Sequence, residues 1–321
     1  MYAAYSGAHL CESHFCESVV KRVRRRIRTD GLLDSAATPS DPDTWVIGLS
    51  GGKDSVVLTS ILHDTFAKDP RVELICLSIH EGIEGYRDES LDACRRLVAD
   101  LGIQHEIATY EEEYDIRMDD VATDDPLNMA PCAYCGVFRR DILERYATEL
   151  KADKLLTGHN LDDEAQTALM NILDGNVEQV AKHFDASLGR FGDDTDDPSA
   201  PRTRVLQDRF IPRAKPLRDI PEKEVALYCH LKELPAHITE CPHADEAFRG
   251  EIQRLLYRLE ENHPGTRHSI MAGYEEIAGI VADRYRSDRV AEHSTPCSHC
   301  GTETSQSICR RCALLESLGV S

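Results

Sequence analysis

From Trp45 to Leu173 short apolar runs alternate with longer stretches in which apolar residues recur at helical spacing. Trp45–Leu49, Val72–Ile79, His105–Tyr110 and Lys154–Gly158 read as strands, and Val56–Phe66, Ser90–Leu101, Gly136–Leu150 and Asp162–Leu173 as helices. Strand and helix alternating in this way predict an α/β fold, a doubly wound parallel sheet with helices on both faces. Ligands on such sheets sit beyond the carboxyl ends of the strands. That rule puts the loops at 50–55, 79–82 and 158–163 along one edge. Further on, Pro221–Leu231, Glu246–Glu261 and Tyr274–Tyr285 show helical periodicity. Between the two regions, residues 186–204 carry Gly189, Gly192, the run Asp193-Asp194-Thr195-Asp196-Asp197, Pro198 and Pro201 with few apolar anchors, and read as a surface loop. The expected division is a terminal segment and basic helix at 1–30, a catalytic domain at 31–235, a helical extension at 236–290 and a small module at 291–321.

Composition sharpens this picture. The 321 residues are 41% hydrophobic and 29% charged, which excludes wholesale disorder. Asp and Glu outnumber Lys and Arg by 57 to 37, a net charge of −20, which excludes a generic nucleic-acid coat. Carboxylates spread along the whole chain point to a halophilic source. The absence of a long apolar run, and of a signal-peptide order at the N-terminus, leads to the expectation of a cytoplasmic protein with no membrane partner. In that setting 12 cysteines, several in Cys-x-x-Cys pairs, point to metal or redox chemistry rather than disulfides.

Ser50-Gly51-Gly52-Lys53-Asp54-Ser55 lies where an apolar strand gives way to an amphipathic helix. Adjacent glycines let backbone N–H groups approach phosphate oxygens, the helix N-terminus favours an anion, and Lys53 can neutralise phosphate charge. The glycine spacing is not that of the Walker loop. Gly158-His159-Asn160 ends another strand, and Asp162-Asp163 opens the next helix. A carboxylate there is commonly a helix cap, yet facing the phosphate loop it could position Mg2+ or move a proton. Cys297-x2-Cys300-x8-Cys309-x2-Cys312 has the pattern of a tetrahedral zinc site. Cys11-x2-His14 reads as half of a zinc knuckle, to be completed by ligands encoded upstream or by Cys16. Cys132, Cys135 and Cys241 can converge on one centre only through folding; residue type alone leaves open an iron–sulfur cluster, zinc, or a disulfide and persulfide cycle. Cys76, Cys94 and Cys229 fall in expected strands or helices and read as packing residues. Lys21-Arg22-Val23-Arg24-Arg25-Arg26-Ile27-Arg28 concentrates six basic residues on an acidic chain and suggests contact with a phosphate backbone.

The 50–55 loop resembles the signature of the PP-loop ATP pyrophosphatases, Rossmann-like enzymes that cleave ATP between the α and β phosphates and adenylate a substrate. With Cys132-Ala133-Tyr134-Cys135-Gly136, Thr157-Gly158-His159-Asn160-Leu161-Asp162-Asp163-Glu164 and Glu240-Cys241-Pro242, the chain is similar from about residue 8 to 315 to the tRNA 2-thiouridine synthetases of archaeal and eukaryotic cytoplasmic type. That resemblance implies ATP and Mg2+ at Ser50–Ser55, Ile79, Gly158 and His159, and a 4Fe-4S cluster on Cys132, Cys135 and Cys241 with one iron open for a sulfur ligand. It implies catalytic roles for Asp163 and for Arg139, which stands where relatives often carry Lys; arginine holds its proton and can stabilise phosphate charge but not act as a base. His80 stands where an Asp would be expected. The activity implied is a tRNA uridine 2-sulfurtransferase: the C2 oxygen is adenylated and sulfur displaces AMP, at wobble position 34 in preference to 54. tRNA, a ubiquitin-like sulfur carrier or free sulfide, and a second copy of the chain are the implied partners. The rival readings are another PP-loop adenylating enzyme, such as an amidotransferase or lysidine-forming enzyme, and a non-catalytic zinc-stapled tRNA-binding subunit.

Overall fold

Apolar residues on both faces of consecutive strands demand helices on both sides, and the chain supplies them. The structure, a computed structural model, describes residues 1–177, 179–180, 211–243, 248–288, 295–304 and 306–320. The acidic stretch 186–204 lies outside them. A short hairpin, β1 (Tyr2–Ala3) and β2 (Ala8–His9), leads into α1 (Glu12–Thr29). Then follow β3 (Asp43–Gly48), α2 (Lys53–Phe66), β4 (Val72–His80), α3 (Tyr86–Leu101) and β5 (Gln104–Thr109). Two short helices, α4 (Tyr110–Tyr114) and α5 (Met118–Thr123), precede α6 (Pro131–Glu149), β6 (Lys154–Leu156) and α7 (Leu161–Leu173). After β7 (Arg213–Ala214) come α8 (Glu222–Leu231), α9 (Phe248–Asn262) and α10 (Thr266–Asp288), and last β8 (Thr295–Pro296), β9 (Glu303–Thr304) and α11 (Arg310–Ser317).

The main sheet has the order β5-β4-β3-β6-β7, and every pairing in it is parallel. Chain order reverses between β3 and β6, so the loops after these two strands diverge from a shared crevice. Trp45 and Ile47 of β3 enter one core with Phe15, Val19, Val23 and Ile27 of α1 and with apolar residues of α2, α3 and α8. Val46 enters the opposite core with Tyr134, Phe138 and Ile142 of α6. Burial on both faces is why the strands read as nearly continuous apolar runs. Leu161, Ala165 and Ala168 of α7 meet Ile252 and Leu256 of α9 and Met271 and Tyr274 of α10 in a third cluster.

The predicted doubly wound parallel sheet is therefore present, with differences that have physical causes. β7 contributes two residues to the sheet edge, too few to leave a periodicity. Pro131 starts α6 at its first position, where a missing N–H costs nothing, so Cys132 and Cys135 lie inside the helix rather than before it. The terminal module is fastened twice: Leu314 is buried in the α6 core, and the Arg311 guanidinium holds both oxygens of Asp141 at 2.9 Å.

Candidate active site

The turn between β3 and α2 closes on itself through Ser55. Its Oγ accepts from the Ser50 N–H at 3.1 Å and donates to the Gly52 carbonyl at 3.0 Å. Gly51 has φ +83°, and a Cβ there would overlap the Ser90 carbonyl of α3. Gly51→Ala therefore combines left-handed strain of about 1–2 kcal/mol with a backbone collision, and is expected to weaken ATP binding by about tenfold or more, checked by calorimetric titration.

The turn after β6 is pressed against this loop. A Cβ on Gly158 would lie 2.9 Å from the Asp54 carbonyl carbon and from the Ser55 nitrogen, so side-chain-free backbone is required. Asn160 Nδ2 donates to Asp54 Oδ1 at 3.0 Å and ties the two turns. The same side chain accepts from the N–H groups of Asp162 and Asp163, while Asp163 Oδ2 accepts from the Asn160 N–H at 3.2 Å, a capping box at the start of α7. Asp163 also meets Arg249 at 3.3 Å. Asp162 turns the other way, buried against Arg267 at 2.9 Å.

Lys53 lies between Asp54 at 3.0 Å and Glu222 at 2.9 Å. Burial alone would push its pKa down, but the two carboxylates outweigh it and hold the ammonium form well above the ordinary lysine range. Tyr257 donates to the second Glu222 oxygen at 2.5 Å, which fixes that carboxylate. Burial pushes the His159 pKa down, and its ring Nδ1 lies 2.8 Å from Thr157 Oγ1.

Beside the loop opens a cavity of about 330 Å³ lined by Ser50, Glu81, Arg139, Cys132, Cys135 and Cys241, among others. Cys132 and Cys135 reach it from one face of α6, and Cys241 from the segment after α8. Cys132 Sγ lies 3.4 Å from the His243 carbonyl. Cys135 Sγ lies 3.2 Å from Arg139 Nη2 and 3.6 Å from the Tyr110 hydroxyl. Burial pushes the thiols of Cys135 and Cys241 up, with Arg139 opposing the shift in both. Ile79 is the next-to-last residue of β4 at this edge, and its carbonyl accepts from Arg87 Nε at 3.1 Å. His80 fills the place of the expected Asp by accepting the Gly82 N–H at 3.0 Å and meeting Asp88 at 3.2 Å.

The C-terminal cysteines Cys297, Cys300, Cys309 and Cys312 bring their sulfurs within 4.8 Å of one another, close enough for one tetrahedral ion. Backbone N–H donation, first from Cys309, holds the Cys297 thiol down at about 6. At the other end Cys11 Sγ and His14 Nδ1 are 3.2 Å apart at the start of α1, and Cys16 packs its side chain toward the core. No third metal-ligating group joins Cys11 and His14 among the described residues. The basic run divides. Arg22 pairs with Glu224, and Arg26 with Asp30, Asp219 and Glu275 at 3.5–3.6 Å, so these two fasten α1 to the body. Lys21, Arg24, Arg25 and Arg28 face solvent. Cys76, Cys94 and Cys229 are buried, as packing residues should be.

A phosphate loop at the switch point of a parallel sheet, opening into a cysteine-lined cavity, defines a nucleotide-dependent α/β enzyme. Residues 24–235 match the PP-loop domain. The chain is 66% identical over 318 residues, 99% of its length and 96% of the relative's, to the tRNA 2-thiolation protein NcsA of Haloferax volcanii. It is 34% identical to the cytoplasmic tRNA 2-thiolation protein 1 of Danio rerio, covering 98% of this chain and 83% of that one. The U34-tRNA thiolase NcsA from Methanococcus maripaludis, solved with its [4Fe-4S] cluster, superposes with a TM-score of 0.77 at 32% identity, covering 100% of this chain and 94% of that one. The chain belongs to the PP-loop family, within its tRNA 2-thiolation proteins.

Two buried charged residues at the site have no signal of their own in the sequence pattern, Glu81 and Arg87. Glu81 is 1% exposed and ion-paired to both Arg87 and Arg139. A charged residue flanked by His80 and Gly82 at a strand end gives no local sign of burial. The apolar residues around it, Ile79 and Ile83, were the available signal.

Proposed function

We propose that the chain is an ATP-dependent tRNA uridine 2-sulfurtransferase acting at wobble position 34. The observation that carries this reading is that Ser50 of the phosphate loop and all three central cysteines line one cavity, so that activation and sulfur transfer share a space. ATP phosphates would lie on the N–H groups of residues 50–55 with Lys53 and Mg2+ balancing their charge, Asp54 or Asp163 being the carboxylates placed to hold the ion. The uridine C2 oxygen attacks the α phosphorus, forming the O–P bond as pyrophosphate leaves. Sulfur then forms a bond to C2 as the C–O bond breaks and AMP departs. Arg139 keeps its positive charge beside Cys135 and can steady either anionic oxygen.

Three soft sulfur donors lining one cavity fit an iron–sulfur cluster. When bound through Cys132, Cys135 and Cys241, a 4Fe-4S cluster supplies one iron without a protein ligand, where a sulfur atom can be held. Cys297, Cys300, Cys309 and Cys312 hold zinc that folds the terminal module onto α6, and Cys11 with His14 forms part of a second zinc site. The four outward basic residues of α1 are the proposed tRNA contact on that helix, and a sulfur carrier or sulfide supplies the sulfur.

The test is reconstitution with iron and sulfide, then incubation with ATP, Mg2+, sulfide and tRNA, followed by nucleoside mass spectrometry with mapping of nuclease fragments. 2-Thiouridine at position 34 is the expected product. Its absence together with ATP–pyrophosphate exchange that ignores tRNA would overturn the reading in favour of another adenylating activity.

A further inference from the structure

Between the phosphate loop and the cysteine cavity runs a chain of polar contacts with two ion pairs at its centre. Arg87 Nη1 donates to the Ser50 carbonyl at 3.1 Å, one residue before the loop glycines. Its Nε donates to the Ile79 carbonyl at 3.1 Å, and the same guanidinium is ion-paired with the buried Glu81 carboxylate. The other Glu81 oxygen accepts from Arg139 Nε and Nη2 at 3.1 and 2.8 Å. Arg139 Nη2 then reaches Cys135 Sγ at 3.2 Å. The Glu81 carbonyl accepts from the Met118 N–H at 2.9 Å, so its backbone is pinned as well.

We infer that Glu81 is a positioning residue that couples occupancy of the phosphate loop to the orientation of Arg139 and Cys135 in the cysteine cavity. Arg87 gives its N–H groups to the Ser50 and Ile79 carbonyls and meets one Glu81 oxygen by charge alone, while the Arg139 fork donates twice to the other, so a shift of the Ser50 peptide that moves Arg87 moves the carboxylate and, with it, Arg139. The carboxylate is withdrawn from water, where such contacts are little screened. A buried ion triad by itself is weak grounds for a stabilising role. This one joins the two halves of a reaction that must occur in order, activation before sulfur transfer. The inference rests on the proposed shared site, yet it is tested without cluster, tRNA or turnover, so the two can fail separately.

The experiment measures the rate of iodoacetamide labelling of Cys135, by peptide mass spectrometry on the full chain loaded with zinc but with no iron–sulfur cluster assembled, without ATP–Mg2+ and at concentrations that saturate each variant. In the wild type, saturation is expected to change the rate by about fivefold or more, the scale of a site-to-site coupling, and in Glu81→Gln the change is expected to fall below about twofold. Arg139→Met cuts the link beyond Glu81 and leaves the Glu81–Arg87 pair intact, so it gives the same readout if Glu81→Gln folds poorly. Glu81→Asp keeps the charge but shortens the reach, and is expected to restore part of the response. A wild type that ignores ATP would overturn the inference. So would variants that keep the full response, since the nucleotide would then be shielding Cys135 directly.

Discussion

Cys241→Ser is expected to remove tRNA thiolation, with product falling at least about 100-fold, because even the outer hydrogen-bond partners of metal ligands cost 10–100-fold when lost. Serine is nearly isosteric, but its hydroxyl is neither a soft ligand nor a sulfur carrier. Either chemistry at this site, an iron–sulfur cluster or a persulfide cycle, therefore stops. ATP binding is expected to persist, since the segment after α8 meets the 50–55 loop through its backbone, the His237 N–H donating to the Gly51 carbonyl at 2.9 Å, and a change of the Cys241 side chain leaves that bond in place. Two measurements check this: 2-thiouridine by nucleoside mass spectrometry, and ATP affinity by calorimetry. Thiolation surviving in the variant would move the sulfur chemistry off these three cysteines and revive the adenylating rivals. Spectra of the reconstituted protein separate the two chemistries, because removing a thiolate alters cluster absorbance and leaves a persulfide mechanism without any such signal.

Much of this arrangement was legible in the chain because it follows from local patterns. β3, β4 and the helices after them repeat apolar residues at the periods of strand and helix, and that repetition placed the phosphate loop at the correct edge of the sheet. The loop itself was legible because two glycines and a lysine have to stand together to cradle phosphate. Features built from distant partners were not. Glu81 and Arg139 are 58 residues apart, and nothing near either announces the other. The division of the basic run lies between these cases. Phe15, Val19, Val23 and Ile27 form a buried stripe at four-residue spacing, so a helical projection sets Lys21 and Arg25 opposite it and Arg22, Arg24, Arg26 and Arg28 on its two borders, but which border meets carboxylates is decided by the distant Glu224, Asp219 and Glu275. Counting charge alone hid that separation. Asp163 is a related case: its place at a helix start reads as a cap, which the capping box bears out, while the catalytic role rests on the resemblance, and its Oδ1 meets Arg249 at 3.3 Å.

Asp162→Ala is expected to destabilise the protein by about 3–5 kcal/mol, the cost of leaving one partner of a buried ion pair alone. The Asp162 and Arg267 side chains are 3% and 4% exposed and lie 2.9 Å apart. Asp162 Oδ2 also accepts from the Glu222 N–H at 2.8 Å, and Glu222 in turn holds Lys53, so the loss reaches the phosphate loop. Arg267 has a second contact, its guanidinium lying 5.0 Å from the centre of the Tyr257 ring, which is too weak to replace a carboxylate. Urea denaturation of three variants isolates the cause. Asp163→Ala, which removes only half of a partly buried capping box, is expected to cost about 1 kcal/mol. Asp162→Ala with Arg267→Met, which removes both charges, should recover more than half of the single-variant loss, because replacing a buried pair by apolar groups is often close to neutral. If Asp162→Ala proves no costlier than Asp163→Ala, the pair is not what locks α7 to α10, and the apolar contacts of Leu161, Met271 and Tyr274 carry that joint by themselves.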